Sequence, residues 1–280
     1  MTAPAGATTG RSGMSGRLGL GGVSLRRIGA LGRAEMILLL RNKTAATTAL
    51  LLPLATVGLF STFLEGDGHV STGAFLATGM FGFVLLYVVY YNLVTTYVAR
   101  REERVLKRLR TGVATDAEIL IGAAVPALVL ALTQTVLTVV AAMVFIDLPV
   151  PVNLPVLLLA MLAGCAIFVL LAAASSGFTR TVETAQLTTL PVLVISMIGS
   201  GVAGSVDAMP DTFATVCRML PLTPVLDLVR LGWLGTTGAE APRDFVGVLS
   251  EARQPAVIIL LWLAVGVSAI RRWFRWDTRH

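Results

Sequence analysis

Apolar residues run along this chain in long blocks, not in the short stripes of a soluble domain. Blocks with almost no polar interruption occupy about 45–64, 74–98, 119–146, 154–177, 185–205 and 255–270. Most match the roughly 20 residues an α-helix needs to cross a hydrocarbon layer about 30 Å thick. The pattern therefore predicts an all-α integral membrane protein with six transmembrane helices. No Asp, Glu, Lys, Arg or His falls inside any of the six blocks. Pro53 lies within the first and predicts a kink there.

The segments between the blocks differ in kind. Residues 1–24 are rich in Gly, Ser, Thr and Ala and predict a disordered tail. The apolar stretch that follows comes too late and is too long for a signal peptide. Residues 25–43 mix Arg26, Arg27, Arg33, Arg41 and Lys43 with Ile28, Leu31 and Ile37–Leu39. That mixture is too short to span and predicts an interfacial helix along the membrane. A short acidic loop carries Glu65, Asp67 and His69, and Asp147–Asn153 predicts a tight turn. Residues 206–254 contain Pro210, Pro221, Pro224 and Pro242 among mixed charges. The apolar pieces Phe213–Leu222 and Val225–Leu234 predict short helices dipping into or lying on the outer leaflet. The last block ends in Arg271, Arg272, Trp273, Phe274, Arg275 and Trp276, an aromatic and basic interface anchor. The membrane-embedded body is thus 25–275, with 276–280 a short tail.

The densest charge lies between the second and third blocks, in Ala99-Arg-Arg-Glu-Glu-Arg-Val-Leu-Lys-Arg-Leu-Arg-Thr-Gly112. Read as a helix, it puts Val98, Val105 and Leu109 on one face, and Glu103 one turn before Lys107. Gly112 is placed to end it. An amphipathic helix with a charged outer face suits docking of a soluble partner. A basic loop that only sets topology gives the same pattern.

Composition agrees with the membrane reading: 55% of residues are hydrophobic, 14% are charged and the mean hydropathy is +0.81. The net charge of +6 does not point to nucleic acid, because the cations sit beside apolar blocks. Of 22 Lys and Arg, all but Arg218, Arg230, Arg243 and Arg253 fall on one side of the predicted topology. That side holds the N-terminal segment, the second-to-third and fourth-to-fifth links and the C-terminal segment. It is predicted to be cytoplasmic, with both termini inside.

Several chemistries lack their residues. Lys43-Thr44 would need glycine at 37 and 42 to form a phosphate-binding loop, and those positions are Ile and Asn. Gly199-Ser-Gly-Val-Ala-Gly204 fits a dinucleotide fingerprint, but no strand precedes it, and close helix packing explains it. Gly13-Met-Ser-Gly16 resembles an intramembrane serine protease site, yet Ser15 lies in the tail and neither His69 nor His280 can reach it inside a membrane. Cys165 and Cys217 with those two histidines do not form a metal site or a disulfide framework. No cofactor is expected on this chain. The charge-free blocks also argue against an ion-coupled carrier. Tyr87, Tyr91 and Thr95 follow one another at four-residue intervals, as do Ser196 and Ser200. Such stripes serve either helix–helix hydrogen bonds or a substrate path.

The charged cluster, in its place after the second block, resembles the cytoplasmic signature of permeases of the type-2 ATP-binding-cassette exporter family. The matching residues are the basic-acidic Arg101, Glu102 and Glu103, then Leu106, Lys107, Arg108, Leu109 and Arg110, then Thr111 and Gly112. Arg104-Val105 departs from the family's Gly-Thr. Leu220-Pro-Leu-Thr-Pro-Val-Leu-Asp-Leu-Val-Arg230 looks like the family's proline-rich segment before the last span. The resemblance covers about 25–275 and is nearest to the daunorubicin-resistance type of drug exporter. It implies a half-transporter: two permease copies, as homodimer or heterodimer, with separate ATPase subunits that bind ATP and Mg. It implies that Arg101, Glu102, Glu103 and Leu106 to Arg110 couple to the ATPase. It implies short outer helices over 206–234 and a path at the dimer interface, lined by Tyr87, Tyr91, Thr95, Ser196 and Ser200. The expected function is export of a hydrophobic or amphipathic small molecule (drug, antibiotic or lipid-like) across a bacterial plasma membrane. A polymer permease, an intramembrane enzyme and a membrane scaffold are the alternatives.

Overall fold

The computed structural model describes residues 24–41, 43, 47, 51, 70–103, 115–145, 147–200, 210–237 and 241–273. The expected first span, the acidic loop, most of the charged cluster, the N-terminal tail and the C-terminal anchor beyond Trp273 lie wholly or mostly outside these residues. Helix α1 is Leu25–Arg41 and α2 is Val70–Phe83. A π-helical segment, Val84–Tyr91, joins α2 to α3, Asn92–Glu102, without a break in helical backbone. Then follow α4, Asp116–Phe145; α5, Leu154–Ser176; and α6, Val182–Gly199. The chain continues with α7, Asp211–Arg218; α8, Thr223–Leu234; α9, Phe245–Glu251; and α10, Arg253–Trp273. The described residues contain no strand.

Among the described residues five stretches are long and apolar enough to cross a bilayer: Ala77–Glu102, Ala117–Phe145, Leu154–Ser176, Val182–Gly199 and Arg253–Arg272. They correspond to the second to sixth blocks of the sequence. The bent pair α7–α8 raises the possible number to six.

Local chemistry sets the helix ends. Thr115 and Glu118 form a reciprocal cap at the start of α4, with Thr115 N donating to Glu118 Oε2 at 2.7 Å and Glu118 N to Thr115 Oγ1 at 3.3 Å. Asn153 caps α5 by accepting from Val156 N at 3.2 Å. Thr181 and Thr184 cap α6 in the same reciprocal way. At the end of α8, Gly235 takes φ 73°, a left-handed cap suited to glycine, and donates to Leu231 O. Pro126 and Pro191 sit inside α4 and α6, as helices surrounded by other helices in a membrane tolerate.

The expected short outer helices form, but α8 does not lie on a leaflet. It threads into the bundle, and Thr223 to Leu226 and Leu228 to Trp233 are buried. Glycines make the close approach possible. A β-carbon on Gly232 would meet Leu157 N at 2.7 Å, and one on Gly164 would meet Leu85 and Val225 at 2.8 Å. The bend of 86° between α7 and α8 is held at Thr223, whose hydroxyl donates to Cys217 O at 2.6 Å and Gly199 O at 3.2 Å. The other end of α8 is tied to the turn before α5. Asn153 N donates to Gly232 O at 2.8 Å, and Trp233 Nε1 to Pro149 O at 2.6 Å.

The six blocks are free of charge, but the helices extend beyond them, and α8, which is not one of those blocks, carries charge too. The α3 helix runs past residue 98 and carries Arg100, Arg101 and Glu102 within its last turn. In α8, Arg230 is 3% exposed, close to Asp227, and donates through Nε to Thr78 Oγ1 at 3.4 Å. A buried arginine persists in such a place only with partners.

Candidate coupling surface and membrane path

Two ion pairs strap the N-terminal helix to one end of the bundle. Arg100, in the last turn of α3, pairs with Glu35 of α1. Arg27 of α1 pairs with Glu118 at the start of α4, Nε to Oε1 at 3.2 Å. Ser24 N donates to the same carboxylate oxygen at 2.6 Å. Glu118 thus accepts two backbone N–H bonds and one arginine while its side chain is fully buried. These contacts strap the N-terminal helix across the ends of the second and third spans. Packing between α1 and α4 is tight, since a β-carbon on Gly122 would meet Leu31 at 2.7 Å.

The four consecutive charges of the cluster separate. Arg100 faces α1. Arg101 turns inward, is 6% exposed, and donates to Ser176 O at 2.7 Å and to Thr179 O. It satisfies carbonyls at the C-terminal end of α5, where a cation also meets the negative end of the helix dipole. Within the single chain its side chain therefore holds the α5–α6 link. Glu102 and Glu103 are exposed, and Glu103 is the C-cap of α3. As far as Glu102 the cluster continues the second span, and the rest of the expected helix over 100–110 lies outside the described residues. Leu106, Lys107, Arg108 and Arg110 lie outside the described residues.

The same contacts place α1, the end of α3, the start of α4, the end of α5 and the start of α6 on one side of the bundle. These are segments that charge alone groups together.

The aromatic stripe passes through the π segment, where a wider turn than the α-helix shifts which residues face inward. Tyr90 and Tyr97 point into the bundle, with Tyr90 Oη bonded to Ser175 Oγ and Tyr97 donating to Leu120 O, both at 3.0 Å. Tyr87 remains 37% exposed and stacks on Phe83, ring centroids 4.3 Å apart. Tyr91 and Thr95 are half-buried. The Thr95 hydroxyl donates back to Asn92 O at 2.8 Å. Ser196 and Ser200 are buried within the chain, and the Ser200 hydroxyl donates to Met197 O at 3.4 Å. The accessible face of the second span is therefore Phe83, Tyr87, Tyr91 and Thr95. The two serines lie behind the surface of α6, whose outer face presents Leu187, Leu190, Val194 and Ile195.

Sequence reasoning passes over Glu35, Glu118 and Phe83, and gives Arg230 no buried role. Glu118 has a legible signal, the Thr-x-x-Glu spacing from Thr115 before an apolar run. Glu35 and Arg230 depend on partners far away in the chain, Arg100 and Thr78, whereas Phe83 stacks on Tyr87 at a helical spacing of four that the sequence also carries. Among the described residues no group of His, Cys, Asp and Glu could hold a metal ion.

An all-helical bundle with several apolar helices of membrane length defines a polytopic membrane protein. The family model for ABC-2 family transporter proteins matches residues 38–270, and the chain belongs to that family. It is a membrane-spanning permease subunit of an ABC transporter, and the ATPase is a separate subunit with which it partners. Comparison with curated proteins gives no match.

Proposed function

We propose that this permease exports a hydrophobic or amphipathic small molecule, such as a drug, an antibiotic or a lipid-like compound. Two copies, identical or related, enclose the path between them, and ATP and Mg bind to the partner ATPase. The end carrying α1, Glu102 and Glu103 faces the cytoplasm of a bacterial cell, and both chain termini lie on that side. The positive-inside bias supports this orientation.

The observation that carries the reading is the exposed aromatic pair Phe83–Tyr87 on a helix otherwise turned inward. Stacked rings bearing one phenolic hydroxyl suit a ligand with a flat apolar body and some polarity. A charged polymer would call for charged groups along that face, and Phe83, Tyr87, Tyr91 and Thr95 supply none. Coupling runs through Glu102 and Glu103, and through the segment after them, to the straps on α1 and the α5–α6 link.

The test is reconstitution of the permease with its ATPase in vesicles, followed by transport of fluorescent amphipathic cations and of a soluble oligosaccharide. ATP-dependent movement of the first and not the second is expected. The reverse result, or an assembly that moves neither while its ATPase responds to a polymer, would defeat this reading.

A further inference from the structure

Away from that face, a cavity of about 310 Å³ lies between α2, α4, α5 and α8, toward the end opposite the ionic straps. Its inner wall is buried and apolar, with Phe81, Val84, Leu157, Val229 and Trp233 all below 9% exposed. Its lip is different. Leu132, Val136 and Val140 of α4 and Leu154 and Leu158 of α5 line it and are half or more exposed on the outside of the bundle. The cavity therefore opens sideways, toward the bilayer.

Three threonines break the apolar lining, and one of them, Thr78, already accepts from Arg230 Nε. Thr135 and Thr138 lie on one face of α4, are 8% and 5% exposed, and line the cavity. Neither hydroxyl has a hydrogen-bond partner among the described residues. Elsewhere in this chain helical threonines return their hydroxyls to the preceding turn, as Thr133 does to Val129 O at 2.9 Å and Thr189 to Ala185 O at 2.7 Å. An unmet hydroxyl inside a membrane bundle is unfavourable unless something accepts from it. A lone buried water commonly makes about three bonds, and beside these two hydroxyls the wall offers only Thr78, already bonded to Arg230.

We infer that each protomer holds a phospholipid acyl chain in this cavity, with the ester carbonyl accepting from Thr135 and Thr138. Depth agrees with this occupant. Thr138 lies about two helical turns, or ~10 Å, from the Phe145 end of α4. The helix is longer than the hydrocarbon is thick, which puts the two threonines near the ester layer, and the apolar lining runs both inward to Leu132 and outward to Met143 and Leu154. The site is distinct from the Tyr87 face and does not depend on what that face carries.

The experiment uses the purified full chain reconstituted in vesicles containing a phospholipid with a photoactivatable group on its acyl chain. Cross-links are mapped by peptide and compared with those on Leu260 and Leu261 of α10, which are 64% and 60% exposed and report bulk lipid. Enrichment on 132–143 and 154–161 is expected. In the Thr135→Val/Thr138→Val double variant the enrichment should fall about fivefold, the effect of losing one hydrogen bond. The fall should come with an unchanged or higher melting temperature, since unmet hydroxyls are removed. Val139→Trp, which fills the cavity, should abolish the enrichment and spare the α10 signal. Even labelling of all exposed surfaces would overturn the inference. So would enrichment that persists in both variants, or that is displaced by a soluble aromatic compound and not by unlabelled phospholipid.

Discussion

Four adjacent side chains at the end of the second span have three different fates. Arg100 and Arg101 are satisfied inside the chain, while Glu102 and Glu103 are exposed. Replacing Arg101 by Met leaves the Ser176 and Thr179 carbonyls without their donor. It should destabilise the detergent-solubilised protein by about 1–3 kcal/mol, read as a lower melting temperature. Reversing Glu102 or Glu103 to Lys should behave oppositely. A pair within one helix contributes only about 0.2–0.5 kcal/mol, so folding and insertion should survive. A desolvated pair across an interface, once one partner is reversed, costs roughly 2–5 kcal/mol. Efflux and substrate-stimulated ATPase activity should then be lost while the melting temperature stays put. Normal transport by both variants would reduce the pair to bystanders of topology. At the aromatic face, Tyr91→Ala should alter substrate preference without disturbing assembly; identical profiles for several substrates would remove Tyr91 from the path. These side chains were legible as a charged run and a stripe. Their directions were not, because Arg101 is turned by carbonyls some 75 residues away in sequence.

Among the elements, α8 owes most to packing. Its sequence reads as a twelve-residue apolar piece, too short to span and unable to announce whether it floats or is buried. Burial is decided by glycines on three different helices, Gly82, Gly164 and Gly232, that let neighbours approach. Gly232 faces the backbone of α5, which cannot move aside as a flexible side chain can. Gly232→Ala should therefore lower stability by about 1–3 kcal/mol. Gly29, exposed on α1 with nothing within 4 Å of its would-be β-carbon, provides the contrast. Gly29→Ala should raise stability by up to about 1 kcal/mol through helix propensity. Thermal unfolding of both variants in one detergent checks the sign of each change. The π segment is a second tertiary effect. Local sequence over 84–91 predicts an ordinary helix, and the wider turn serves a bundle in which Tyr90 and Tyr97 both reach buried partners.

For the whole molecule, the ionic straps and the charge bias make one topological statement. If the strapped end is cytoplasmic, single cysteines at 102 or 103 should react with an impermeant thiol reagent only after the membrane is opened. Cysteines at 241–250 should react from outside in intact cells. Labelling of 102 from outside would invert the protein and remove the proposed coupling surface. Family membership sharpens this expectation, because the work of ATP hydrolysis must enter from another chain at the end where that chain docks.

What the amino-acid sequence determined by itself is whatever depends on summed transfer free energy and on local caps. Long apolar blocks must be helices in a membrane, since no water is there to satisfy an exposed backbone. The boundaries of α5 and α10 fall within a few residues of the blocks that predict them. Only the tertiary structure decided which polar atoms meet. Glu35 and Arg100 are 65 residues apart, and Arg230 and Thr78 are 152 apart. Hydropathy is a property of each residue and its near neighbours, and it holds no record of such distances. Burial of α8, the inward turn of Arg101 and the unmet hydroxyls of Thr135 and Thr138 are all products of which helix lies beside which, and that is settled by packing in three dimensions.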